Sequence, residues 1–221
     1  MTALAPRRSH LSAALIVIAA LALSGAALGG LWAWIAPPIH TIAGLTKGGD
    51  RIDAFLGKES DNVFVAVAML IGMLAGLAIV SAVAVWQWRP HRGPVLAAGL
   101  WIGQIAAAAA AAGTGAALAH WRYGTPDRAG AQLSPENRVA YFTEAPPVFP
   151  GHSPFQIAVT LLLPAALAAL VYAMLAIANP REDLGGWPAQ ERFVHPGYPY
   201  GQPGIAGAGF TGAGTEPVRP A

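Results

Sequence analysis

Cysteine is absent and charge is scarce. Without a single thiol, this chain of 221 residues cannot carry a disulfide framework, a thiolate nucleophile or a Cys-ligated zinc or iron–sulfur centre. Charged residues make up only 11% of the composition, less than half of the roughly 25% found in soluble domains. A water-facing globular surface is therefore hard to build. The net charge is just +2 and the basic residues form no dense stripe, which argues against nucleic-acid binding. Reaction fingerprints are missing as well. Gly113-Thr114-Gly115 and Lys47-Gly48-Gly49-Asp50 are Gly-rich, but neither has the spacing of a P-loop or dinucleotide loop. No Gly-x-Ser-x-Gly occurs that would place a serine on a nucleophile elbow. No motif implies a cofactor or a metal.

What is present is apolar length. The composition is 55% hydrophobic and the mean hydropathy is +0.48. Four uncharged stretches, residues 11–35, 63–88, 94–119 and 154–178, each exceed the ~20 residues needed to cross a bilayer. Backbone in hydrocarbon must satisfy its own hydrogen bonds, so each is read as a helix. The predicted class is an all-α membrane protein: a four-transmembrane-helix bundle over residues 11–179, preceded by a cytoplasmic N-terminus (1–10). Two outer loops (37–62 and 122–153) interrupt it, and a Gly/Pro-rich tail (180–221) follows that is expected to be disordered and cytoplasmic. The apolar part of the first span is too long for the ~7–15-residue core of a cleaved signal peptide, and it reads as a retained anchor.

Local chemistry supports these limits. Trp32, Trp34, Trp86, Trp88, Trp121 and Tyr123 fall at span ends, where an aromatic belt lies. Pro94 opens the third span where its missing N–H does no harm. Ser153 and Gln156 have capping-box spacing, and Ser60 or Asp61 is expected to cap the second helix. Pro164 is expected to kink the fourth. The third span is Ala- and Gly-rich and only weakly hydrophobic, so it is expected to pack inside the bundle. Gly25 with Gly29, Gly72 with Gly76, and Gly99 with Gly103 are spaced four apart, and each pair is a predicted helix-packing contact or a homodimer face. Gln104 is the one strongly polar side chain deep in a span; interhelical hydrogen bonding is favoured over a place in a transport path, which would normally bring ionisable residues into the membrane.

Orientation follows from dense positive flanks. Arg7 and Arg8 precede the first span, Arg89 and Arg92 lie in the short second connector, and Arg181 follows the fourth span. The positive-inside tendency then puts both termini in the cytoplasm of a multi-pass protein of the inner (plasma) membrane. In the first outer loop, His40–Thr46 and Arg51–Leu56 flank paired glycines and suggest a small β-hairpin. Val139–Thr143 reads as a further strand, and the two loops together suggest a small cap. His40, His120 and His152 fall near the outer surface with Asp50, Asp61 and Glu144, and imidazole with carboxylate suits zinc. No pair has the i, i+4 spacing of a helical metal motif, so ordinary interfacial histidines are the favoured reading.

Four segments carry a family likeness: Gly44-Leu45-Thr46 through Ala54-Phe55-Leu56-Gly57-Lys58-Glu59-Ser60-Asp61; Val85 through Pro94; Ala145 through Pro154; and Asp183-Leu184-Gly185-Gly186. Together they resemble an uncharacterised family of actinobacterial, chiefly mycobacterial, conserved membrane proteins that forms a domain of unknown function. The resemblance spans roughly residues 11 to 190. It implies an inner-membrane location and brings no activity or site residues. The leading functional expectation is a non-enzymatic scaffold or accessory subunit of an envelope complex. Its partners would be the lipid bilayer and other membrane proteins or further copies of itself. The alternatives are a small transporter or lipid-handling protein, and a membrane enzyme with an unrecognised outer-face site.

Overall fold

The computed structural model describes residues 9–179 apart from 129 and 135. The first eight residues and the tail from 180 onward lie outside the described residues, and with them the Pro196–Pro203 segment, Arg181 and the Asp183–Gly186 motif. Four helices, α1 (His10–Ile35), α2 (Ser60–Gln87), α3 (Pro94–Tyr123) and α4 (Pro154–Ile177), alternate with three strands, β1 (Ile39–Leu45), β2 (Arg51–Phe55) and β3 (Val139–Glu144). The shortest helix has 24 residues. At ~1.5 Å per residue it still matches a hydrocarbon core of about 30 Å. All four are long and apolar enough to cross a membrane, which is compatible with a multi-pass membrane protein.

Helix ends follow from local hydrogen bonding. Ser9 Oγ accepts from Ser12 N at 3.2 Å at the start of α1. The reciprocal Ser153–Gln156 capping box opens α4. The start of α2 differs from expectation. Ser60 is already helical and Asp61 lies in the first turn, while Glu59 occupies the cap position without a side-chain capping bond. The reason is competition: the Glu59 carboxylate is taken by Asn62 and His40 instead. Asp61 still places a negative charge beside the positive end of the helix dipole. α3 runs a full turn past the expected Ala119 and stops at Gly124, whose φ of 70° suits a residue without a Cβ. α4 continues as helix through the buried Pro164.

The loops do not remain loops. β1 and β2 form the expected hairpin around Gly49, and β3, from the second long connector, pairs antiparallel with the other edge of β1, giving the order β2-β1-β3. The register sets Thr41 opposite both Phe55 and Phe142, and Ile42 opposite both Ala54 and Tyr141. Because side chains alternate, Ile39, Thr41 and Ala43 are buried on one face. Ile42, Ile52, Val139 and Tyr141 share the other face, where Ile52, Val139 and Tyr141 are exposed. The two connectors therefore form one small sheet rather than a hairpin beside an irregular loop.

α3 is the least apolar helix and the most enclosed: half of its most apolar stretch is buried, against 28% in each of the others. α1 is its principal neighbour, and α4 bridges α3 and α2. The α1–α3 seam is built on residues too small to hold the backbones apart. A Cβ placed on Gly25 would come within 2.5 Å of Ala107 Cα, and one on Gly29 within 2.8 Å of Ala111 Cα. Further along, Gly99 meets Ala14, Gly103 meets Ile18 and Leu21, and Gly115 meets the Trp32 ring. The partners rise together in both helices, so α1 and α3 run parallel. Thr114 Oγ1 adds an interhelical hydrogen bond to Ala26 O at 3.1 Å.

Gly72 and Gly76 depart from this pattern. They are exposed, and a Cβ on either would meet nothing within 4 Å. The equal spacing of the three pairs concealed a difference of face, since α2 turns Leu70, Leu74 and Ala78 inward instead. Gly25→Leu or Gly29→Leu should destabilise the bundle by about 1–3 kcal/mol through overpacking, whereas Gly72→Leu should leave stability nearly unchanged. Unfolding in mixed micelles, followed by tryptophan fluorescence, separates these outcomes.

Candidate functional site

Inside the bundle one polar contact stands out. Gln104 on α3 is fully buried, and its Nε2 donates to Ser81 Oγ of α2 at 2.6 Å. Ser81 in turn donates to Ala78 O at 3.1 Å. Gln104 Oε1 has no hydrogen-bond partner. This pair lies between two apolar clusters. One gathers Leu21, Ala82, Trp86, Leu100 and Tyr172 at the end carrying the α2–α3 connector. The other gathers Trp32, Leu70, Leu74, Ala111 and Val148 towards the sheet. The Trp32 indole N–H donates to Ala66 O at 2.7 Å and ties α1 to α2 in that second cluster. No ionisable group joins Gln104, so the geometry supplies a hydrogen bond between helices and no proton relay.

The connector end is knit by aromatic and cationic groups. Arg92 stacks 4.3 Å above the Trp86 ring and donates from Nε to Trp86 O at 2.7 Å. Trp86 meets Tyr172 of α4 edge-on at 5.3 Å, and the Tyr172 hydroxyl accepts from Gly93 N at 3.3 Å. His91 is buried with its ring 4.7 Å from that of Trp88. The Val85–Pro94 motif thus folds the short connector back onto its own helix, and chemistry at this end is structural.

The sheet-bearing end holds most of the polar side chains. His40 Nδ1 lies 3.3 Å from Glu59 Oε2, which also accepts from Asn62 Nδ2 at 2.6 Å. Asn62 Nδ2 further reaches Pro38 O at 3.4 Å. These contacts clip β1 to the start of α2. Partial desolvation of the Glu59 carboxyl opposes its charge, but the hydrogen bonds from His40 and Asn62 and the His40 charge outweigh it and hold its pKa below the usual carboxylate range. Across the sheet, Glu144 accepts from Thr41 and from Arg128, and Arg51 donates to the Arg128 carbonyl. These bonds fasten the connector before β3 to the bundle-facing side of the sheet.

The three histidines singled out by sequence do not meet. His40 is committed to Glu59, whereas His120 and His152 line a single cavity of about 370 Å³ together with Pro146, Pro147, Val148 and Phe149. His120 Nδ1 contacts Ala116 O at 2.7 Å. A carbonyl can only accept, so His120 Nδ1 carries a proton and donates to it. Among the described residues no three His, Asp or Glu side chains cluster as a metal site. The cavity is apolar with two imidazoles at its wall, a lining suited to a small amphiphile rather than to a metal ion. Sequence reasoning missed Ser81 and Trp32 as bonding partners, and neither carries a motif that would have revealed it.

Comparison with known proteins yields relatives and a family, and assigns them no activity. Residues 21–186 match the family described as protein of unknown function, DUF2567. The chain belongs to that family. It is 51% identical over 170 residues to uncharacterized protein Rv1591 of Mycobacterium tuberculosis, covering 76% of this chain and 88% of the relative. Uncharacterized protein ML1222 of Mycobacterium leprae is also 51% identical over 170 residues, covering 77% of this chain and 86% of the relative. No solved structure matches it. The DUF2567 match takes in α1 from Leu21 onward, the other three helices and the whole sheet, so the Gly25–Ala107 and Gly29–Ala111 contacts, the Gln104–Ser81 pair and the His40–Glu59 clip lie within the family's span.

Two expectations follow. Ser81→Ala should cost about 1–2 kcal/mol, because it leaves the whole Gln104 amide unpaired, whereas Gln104→Leu should remain within about 1 kcal/mol of the native chain. The order of the two, read from unfolding in mixed micelles, is the check. Acidification tests the clip. A carboxyl whose folded pKa is depressed contributes stability above its unfolded value and loses it as pH falls through the folded value. Amide-exchange protection in β1 and the first turn of α2 should therefore drop as pH falls below about 4, and Glu59→Gln should remove most of that drop.

Proposed function

We propose that this chain is a multi-pass inner-membrane protein acting as a non-enzymatic scaffold or accessory subunit of an envelope complex. The observation that carries this reading is the outward face of the sheet. Ile52, Val139 and Tyr141 are exposed there beside Ile42, and Tyr141 is 71% exposed. A monomer that merely spans the bilayer has no need to build a rigid cap from two distant connectors and leave its outer face apolar, whereas a subunit docking a partner does. The bundle favours the same role. Its spans carry no charge, and the Gln104–Ser81 bond joins helices without opening a polar path. Arg89 and Arg92 in the short α2–α3 connector favour a cytoplasmic position for that end, with the sheet on the opposite side.

A second reading, lipid or small-amphiphile handling, draws support from the cavity walled by His120, His152 and Phe149. Its two imidazoles offer polar contacts to the head of a bound molecule, while the proline and phenylalanine walls cover an apolar part.

Because the chain has no cysteine, a single introduced thiol tests the leading reading cleanly. Tyr141→Cys, tagged in intact cells with a membrane-impermeant photo-crosslinker, should label from outside and yield a discrete heavier adduct. Adding Ile52→Asp should abolish the adduct while labelling persists. Labelling only after the cells are opened would reverse the orientation, and monomer alone under all conditions would overturn the scaffold reading.

A further inference from the structure

Where α1 and α3 end beside the sheet, their seam opens outward into a second cavity of about 220 Å³, lined by Gly30, Ala33, Trp34, Leu118, Trp121 and Arg122. Its floor is apolar: Gly30 and Ala33 on one helix, Leu118 on the other. Its rim is polar in one sense only. Arg122, Trp34 and Trp121 are donors without acceptor capacity in their side chains. Arg122 donates from Nη1 to Trp34 O at 3.0 Å, and its guanidinium lies 5.3 Å from the Trp34 ring centre and 5.2 Å from that of Tyr123. Among the described residues no carboxylate pairs with it, and neither indole N–H meets an acceptor. Trp34 is 75% and Trp121 86% exposed.

We infer that this cavity is a binding site for one anionic phospholipid, its phosphate held by Arg122 and the indole N–H groups and its proximal acyl chain lying in the Gly30–Leu118 groove. The inference rests on the reading that the four helices span a bilayer. The complementarity is chemical. A guanidinium with no carboxylate partner among the described residues, beside two indole N–H donors, calls for an anion rich in acceptors, and phosphate suits the donors that Arg122 does not spend on Trp34 O. The apolar floor beneath calls for hydrocarbon attached to that anion, which a free phosphate lacks. The height agrees, because the donors occur in the last turns of α1 and α3, where headgroups meet hydrocarbon. The groove owes its depth to Gly30. A Cβ there would reach ordinary contact with Leu118 Cδ1 at 3.6 Å, so a larger side chain fills the space without striking backbone.

The full chain, purified and shown to be membrane-integrated, is titrated with phosphatidylglycerol and with phosphatidylcholine of the same acyl chains, and retained lipid is counted by native mass spectrometry. One phosphatidylglycerol per chain should be retained about tenfold more tightly than phosphatidylcholine, whose choline cation offsets the phosphate charge that faces Arg122. Arg122→Gln should bring the two lipids to the same affinity. Gly30→Leu, which leaves the guanidinium in place, should weaken both. Should Gly30→Leu fail to elute as a folded species, Leu118→Trp fills the groove from its opposite wall. Inorganic phosphate should not displace the lipid. Equal retention of the two lipids by the native chain, or no effect of Arg122→Gln, would mean annular lipid only and overturn the site. Displacement by phosphate alone would overturn the lipid assignment. A chain that does not integrate into membranes at all would instead refute the spanning reading on which the inference rests.

Discussion

The close approach of α1 and α3 is the constraint on which the rest of the molecule depends. Two parallel helices, separated in sequence by all of α2 and the hairpin, touch through Gly25, Gly29 and Gly99 with alanines opposite, and through Gly103 and Gly115 against larger side chains. Among apolar lipid tails there is little hydrophobic gain in bringing helices together, so van der Waals contact and hydrogen bonds must do it. Small residues serve that end by letting backbone meet backbone, and Thr114 adds a hydrogen bond to Ala26 across the seam. A helix as Ala-rich as α3 makes a poor surface for lipid but a good partner for such a neighbour.

The seam also sets the geometry at the sheet-bearing end. With α1 fixed against α3, the chain leaving Ile35 and the chain leaving Tyr123 start close together, and β1 and β3 can pair over six residue positions. That pairing is between segments about a hundred residues apart: β1 follows α1 almost directly, whereas residues 124–138 carry the chain from α3 to β3. The bonds from Glu144 to Thr41 and Arg128 then fasten that connector to the sheet, and the His40–Glu59–Asn62 clip fastens β1 to the start of α2. Polar side chains are concentrated here, outside the apolar spans, because only here can water or headgroups share the cost of keeping them charged.

The same arrangement explains why chemistry is confined to the surface. Among the described residues the buried polar side chains inside the four helices are Gln104 and Ser81, joined to each other between two apolar clusters, and Thr160, whose hydroxyl donates to Gln156 O of its own helix. At the sheet-bearing end the connectors instead leave recesses between helix ends and loop, one walled by His120 and His152 and one by Trp34, Trp121 and Arg122. Membership in the DUF2567 family adds no activity to these recesses. The sheet-bearing end thus presents an exposed apolar sheet face beside these two recesses, the second of them rimmed by donors.

Hydropathy alone determined the four long helices, because a run of more than twenty uncharged apolar residues is a one-dimensional signal that needs no neighbour to interpret. The Ser153–Gln156 capping box and the hairpin around Gly49 were legible for a similar reason, being interactions over three or four residues. Which glycines pack was not legible. Gly25–Gly29 and Gly72–Gly76 have the same spacing, and only the rotation of each helix against its neighbours buries one pair and exposes the other. The start of α2 was misplaced because Glu59 answers to His40, nineteen residues away, and not to its own helix. The strand at Val139–Thr143 was legible, but its pairing with β1, the meeting of His120 with His152, and the Ser81 partner of Gln104 were decided by tertiary structure, since each depends on the distance between segments that only the packed bundle fixes.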